Sequence, residues 1–176
     1  MSNATSVDVA GYLRIIPDFP KPGILFRDIS PLLAAPEAFR FVIHEMAQRL
    51  SRAGIDALVG IESRGFIFAA PLAIELGVPL VMVRKPGKLP GSTESIQYGL
   101  EYGSDSLHLQ SGAVRHGSSV VVVDDVLATG GTAVAVRSLI EQVGARVLSC
   151  VFLAELRGLG GREKLGSCDV QVVVEL

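Results

Sequence analysis

Apolar positions along this chain follow two rhythms. Ala57 to Ile61, Pro79 to Val83, Val120 to Val123, Arg146 to Leu153 and Val170 to Val174 are short stretches that are apolar at most positions. Such stretches suit parallel strands covered on both faces, where neither side meets solvent. Pro36 to Ala53 keeps the other rhythm. Phe39, Ile43, Met46, Ala47 and Leu50 share one helical stripe, Arg40, Glu45, Gln48 and Arg49 lie off it, and Gly54 stops it. Helices are also predicted over Phe66 to Leu76 and Ala133 to Val143, each soon after a strand, with a short one over Val7 to Leu13. Leu107 and Leu109 alternate with polar neighbours, as in an edge strand. The alternation predicts one α/β domain over residues 1–176, a mainly parallel sheet of about five strands flanked by helices.

Two stretches break both rhythms. Between Ile15 and Leu33, Pro17, Pro20 and Pro22 forbid a continuous helix, and Gly23 permits a turn before Ile24-Leu25-Phe26. This stretch therefore reads as a shaped, irregular cap that closes an N-terminal segment, residues 1–33. From Arg84 to Thr93 the sequence RKPGKLPGST is basic, broken by proline and glycine, and too polar to pack centrally; Gln97 to Gly103 returns to the sheet. Residues 84–103 read as a mobile lid. Cations on a loop that closes over phosphate groups neutralise charge and exclude water.

The stretch VVVVDDVLATGGTA, Val120 to Ala133, carries the most chemistry. A buried strand runs into Asp124 and Asp125, then into Ala128-Thr129-Gly130-Gly131-Thr132, where small residues let backbone N–H groups approach a ligand and the next helix points its positive end at it. That is an anion site. Carboxylates repel phosphate but accept hydrogen bonds from sugar hydroxyls, so the implied ligand carries both a phosphate and a diol. Neither GxxxxGK[ST] nor GxGxxG with a later acidic residue occurs here. A second strand–turn–helix presents Glu62-Ser63-Arg64-Gly65, and on spacing alone its arginine reads equally as a surface charge or as a ligand contact.

Composition narrows the partners. At 49% hydrophobic residues the chain fills one core, and a net charge of −2 with a pI near 5.9 offers no general basic surface for nucleic acid or membrane. No long apolar span or signal peptide is visible, so a soluble cytoplasmic protein is expected. Cys150 and Cys168 lack metal-ligand spacing and read as reduced structural thiols, and the three histidines are scattered, so no metal site built from side chains is expected.

The central motif closely resembles the phosphoribosyl pyrophosphate (PRPP) motif of the type I phosphoribosyltransferases. In that family the two acids take the ribose hydroxyls and the loop takes the 5′-phosphate. PDFPKPGILFRDIS resembles the hood of the adenine-specific members, ESRGF their pyrophosphate loop, and RKPGKLP and LEYG their lid. The resemblance runs from about Ile15 to Leu165 and implies a type I phosphoribosyltransferase fold with an N-terminal hood. It implies transfer of phosphoribose from PRPP to adenine, giving AMP and diphosphate in purine salvage, with Mg²⁺ carried on the PRPP and a homodimeric assembly. By this resemblance Arg64, Ser63 and Lys88 bind pyrophosphate, Glu101 is the active-site glutamate, and Leu25, Phe26, Arg27 and Leu156 form the adenine pocket, with Leu156 facing Phe26 across the base. It also implies an unusual, often cis, peptide at Glu62-Ser63. Two other readings stay open on residues alone: a transferase for another base, opposed only by the hood, and a PRPP-sensing regulator, which should carry an added DNA-binding domain or a basic face.

Overall fold

The computed structural model describes residues 7–50, 54–100 and 103–176. In chain order these form a 3-10 turn (Ala10–Tyr12), strands β1 (Arg14–Pro17) and β2 (Leu25–Asp28), helices α1 (Ser30–Leu33) and α2 (Pro36–Arg49), β3 (Ala57–Ile61), α3 (Gly65–Leu76), β4 (Leu80–Arg84), β5 (Thr93–Leu100), β6 (Gly103–Gln110), β7 (Ser119–Leu127), α4 (Gly131–Gln142), β8 (Arg146–Glu155), α5 (Gly161–Leu165) and β9 (Asp169–Glu175). The main sheet has the order β5-β6-β4-β3-β7-β8-β9. Strands β4, β3, β7, β8 and β9 are mutually parallel, while β6 pairs antiparallel with β4 and β5 antiparallel with β6. The parallel part has the five strands expected from the sequence. The sheet reaches seven because β5 and β6 add an antiparallel pair in continuous register from Thr93↔Gln110 to Leu100↔Gly103. Half of the stretch read as a lid is thus regular strand, polar because it lies on the sheet edge.

Strict alternation along the central strands separates two cores. Ala57, Val59 and Ile61 of β3 and Val120 and Val122 of β7 face α4, while Leu58, Val121 and Val123 face α2 and α3. Each strand is therefore apolar at every position because each face has its own helical cover. One patch lacks that cover. Leu80 and Met82 of β4 point to the α3 side, yet α3 packs over β3 and β7, and the two side chains are 36% and 44% exposed.

The hood is a two-stranded hairpin, β1 against β2, that the sequence pattern does not reveal. Asp28 fixes it: Arg14 Nε donates to Oδ2 at 3.0 Å, and the Ser30 amide and hydroxyl donate to Oδ1 at 2.9 and 2.6 Å. The Ser30 hydrogen bonds, then Arg14, hold the Asp28 carboxyl down to about 2. The helix expected over Val7 to Leu13 is only the 3-10 turn, because the Asp8 side chain accepts from the Gly11 amide at 3.2 Å while Val9 and Leu13 anchor separately in the core.

Candidate active site

Strands β3 and β7 are neighbours, in register from Ala57↔Val120 to Gly60↔Val123, so the turns at their carboxyl ends lie side by side. From this pair the chain winds outward both ways, to β4 on one side and β8 on the other. Such a switch point leaves a crevice at the strand ends. The turns press together: a Cβ on Gly65 would lie 2.7 Å from the Val123 carbonyl oxygen and 3.0 Å from Asp124 Oδ1. The Glu62–Ser63 peptide is cis. Glu62 itself points toward the β4–β5 connection, accepting from Arg84 Nη2 at 3.0 Å and from the Lys85 amide at 2.8 Å. Burial pushes the Glu62 carboxyl up, but these two hydrogen bonds and the nearby Arg84 and Lys88 charges outweigh it and leave it below the usual range. Arg84 Nη1 also donates to the Lys88 carbonyl at 2.8 Å, tying the turn that carries Lys88 to the turn that carries Ser63.

The acid pair belongs to β7, which continues to Leu127. Asp125 is 3% exposed, and its Oδ2 lies 2.9 Å from Arg64 Nε without an aligned hydrogen bond. Burial raises Asp124 well above the ordinary carboxylate value, and the charge of Asp125 adds to it; burial also raises Asp125, opposed by Arg64. Two crowded carboxylates with an unfilled acceptor are suited to hydroxyl donors.

Arg64, Asp124, Asp125 and residues Ala128 to Thr132 line a cavity of about 200 Å³. A second cavity of about 300 Å³ shares Arg64, Asp124, Asp125 and Thr132 and adds Ser63, Lys85, Tyr98 and Asp105. In the first, Gly130 adopts φ +76 as the residue before α4, and a Cβ on Gly131 would meet nothing within 4 Å, so the loop amides are open to a ligand. Behind the loop stands a residue that sequence reasoning missed. A Cβ on Gly161 would lie 2.2 Å from the Ala128 carbonyl oxygen, and one on Gly130 would lie 2.7 Å from the Gly161 oxygen. Tyr98 was missed too: its hydroxyl meets Thr132 and makes a long 3.5 Å contact to Asp105 Oδ2, which also pairs with Lys85 Nζ at 3.3 Å. Within an edge strand nothing in the sequence singles Tyr98 out.

The hood reaches the crevice through Phe26. Its ring meets the Phe19 ring edge-on with centroids 5.0 Å apart, and the Arg64 guanidinium carbon lies 5.0 Å from its centroid. Leu25 is 55% exposed, and Arg27 Nε is buried with no hydrogen-bond partner. The Leu156 amide donates to the Leu127 carbonyl at 2.9 Å, at the carboxyl end of β8. Lys88 and Leu156 line neither of the two cavities. Glu101 lies outside the described residues.

A parallel sheet whose switch-point turns offer an open amide loop, an acid pair and a guanidinium is the build of a protein that handles phosphorylated ribose. The model of the phosphoribosyl transferase domain matches residues 29–173. An adenine phosphoribosyltransferase of Synechococcus sp. (strain CC9902) is 55% identical over 161 residues, covering 92% of this chain and 92% of that one. Among solved structures, the adenine phosphoribosyltransferase of Thermoanaerobacter pseudethanolicus matches with a TM-score of 0.93 at 48% identity, over 96% of this chain and 98% of that one. The enzyme of Saccharomyces cerevisiae, complexed with an imino-altritol bisphosphate and adenine, matches with a TM-score of 0.88 at 43% identity, over 93% and 95%. The chain belongs to the adenine phosphoribosyltransferase family.

Proposed function

We propose that the protein transfers phosphoribose from PRPP to adenine, releasing AMP and diphosphate, in purine salvage. The observation that carries this reading is the acid pair of β7 held between an open amide loop and Arg64. In this reading Asp124 and Asp125 accept the ribose hydroxyls, and the amides and hydroxyls of Ala128 to Thr132 hold the 5′-phosphate. Arg64, Ser63 and Lys88 hold the diphosphate, with Lys85 of the second cavity beside them. The flat ring of Phe26 and the aliphatic side chains of Leu25 and Leu156 enclose the base, and Arg27 supplies a buried Nε without an internal partner. The family name of the relatives and the adenine held by the yeast enzyme favour adenine over other bases.

Attack of adenine N9 on the anomeric carbon builds positive charge on the ribose as the bond to diphosphate breaks, and N9 loses its proton. Glu101, within the lid stretch, is the carboxylate assigned by family resemblance to stabilise that charge or take that proton. Glu101→Gln is expected to lower single-turnover rates by about 10²–10⁴-fold with both substrates saturating. Near-normal rates would remove the assignment. Residues 84–103 act as the lid, anchored by Glu62 through Arg84 and Lys85.

Magnesium enters on PRPP and supplies charge neutralisation for the departing diphosphate. Among the described residues no three His, Cys, Asp or Glu side chains cluster to hold a metal, and the acid pair fits the hydroxyls or waters around a substrate-borne ion. A homodimer fits the bare apolar patch on β4, where Leu80 and Met82 are 36% and 44% exposed. A soluble cytoplasmic location fits the substrates, and no described helix is long and apolar enough to cross a membrane. The test of the reaction is a panel of adenine, guanine, hypoxanthine, xanthine and orotate with PRPP and Mg²⁺. Adenine alone should yield its nucleotide efficiently, and preference for any other base would overturn the reading.

A further inference from the structure

Cys150 and Cys168 have no role in the reaction proposed above, and they touch each other. Cys150 is fully buried in β8, opposite Val122 of β7 and Val170 of β9. Cys168 lies just ahead of β9, partly exposed, with its Sγ 3.7 Å from Cys150 Sγ. Both thiols are free. We propose that this pair is an oxidation site, at which a peroxide attacks Cys168 first and Cys150 then closes a disulfide.

The chemistry balances in two steps. The Cys168 thiolate attacks a peroxide oxygen; the S–O bond forms, the O–O bond breaks, hydroxide leaves and the sulfur is oxidised to a sulfenic acid. The Cys150 sulfur then displaces the sulfenic oxygen, which leaves as water with the Cys150 thiol proton, and the S–S bond forms. Access and charge set this order. Only Cys168 is open to a dissolved oxidant. The hydrogen bond from the Cys150 thiol and the Arg137 guanidinium on α4 lower Cys168 to about 7 against burial and the carboxylates of Asp169 and Glu141, while the same contact and burial push Cys150 up. The bond closes a loop around Leu156 and Gly161, the segment that backs the phosphate loop.

The test treats the full chain with hydrogen peroxide at a dose that oxidises free glutathione, then with an alkylating agent, and reads intact mass. The expected product has lost two hydrogens, about 2 Da, takes up no alkyl group, and returns to two alkylatable thiols after dithiothreitol. Peptide mapping should find Cys150 joined to Cys168 in one chain. Cys150→Ala should leave Cys168 as a sulfenic acid captured by dimedone, and Cys168→Ala should leave Cys150 unoxidised at the same dose. Two retained thiols in the wild type, a disulfide between chains, or dimedone on Cys150 would overturn the proposal. The wild-type mapping decides it even where the Cys150 variant fails to fold.

Discussion

The turn after β3 and the turn after β7 leave neighbouring parallel strands and enter helices of 12 residues each, α3 and α4. The first is packed shut and carries the cation: Gly65 abuts the β7 backbone and Arg64 projects over it. The second is open and carries the anions: Gly131 faces free space beside the half-buried Asp124 and the buried Asp125. Neither turn makes a sugar-phosphate site alone. The acid pair is tolerable next to the anion loop because the neighbouring turn sets a guanidinium against Asp125, and the closed turn is what holds that guanidinium in place.

The strongest way to break the contrast is to close the open turn from behind. Gly161→Ala places a Cβ 2.2 Å from the Ala128 oxygen, an overlap with backbone that no side-chain movement relieves. It should destabilise the fold by about 3 kcal/mol and weaken PRPP binding, read by urea unfolding and by titration. Next, Asp125→Asn removes the charge of one proposed ribose contact and should cost about 1.5–3 kcal/mol in PRPP affinity while adenine affinity holds. The reverse pattern would show that the acids serve the base.

The third change separates function from stability. Burial raises the proton affinity of the acid pair in the folded chain above its ordinary value of 3.8, so its contribution to stability is full below that pH and is lost as pH rises through the raised values. Asp124→Asn should therefore raise the melting temperature at neutral pH, do so less near about pH 4, and weaken PRPP binding throughout. Asp28 is the counter-case. Its lowered carboxyl contributes stability above 3.8 that is lost as pH falls through about 2, so Asp28→Asn should destabilise at neutral pH. The smallest effect is expected for Gly131→Ala, whose Cβ meets nothing: stability should change by within about 0.5 kcal/mol.

The open turn was legible in sequence because its parts lie within thirteen residues: four valines, two acids, Val126-Leu127 and five small residues. The closed turn was legible only as a strand end with an arginine, since its meaning lies in what it abuts. Gly161 carried no signal, because the carbonyl it must accommodate belongs to Ala128, a residue remote in sequence whose position only the fold supplies. The hood hairpin was hidden for a similar reason. Three prolines mark it as irregular, while its pairing depends on Arg14 meeting Asp28 across the turn. Strand β5 carried no strand signal of its own because an edge strand needs no apolar face.

The pairing of β3 with β7 joins Ala57 to Val120 across the α3, β4, β5 and β6 segments. Contacts so distant along the chain form late, after the intervening loop has been closed at an entropic cost. The ribose-phosphate site proposed above lies on that seam, so it is absent from any partly folded species in which the seam is open. PRPP therefore has nothing to hold until folding is nearly complete. Its binding energy should act on the exit from the native state: unfolding slows in proportion to site occupancy, and the refolding rate stays the same at every PRPP concentration.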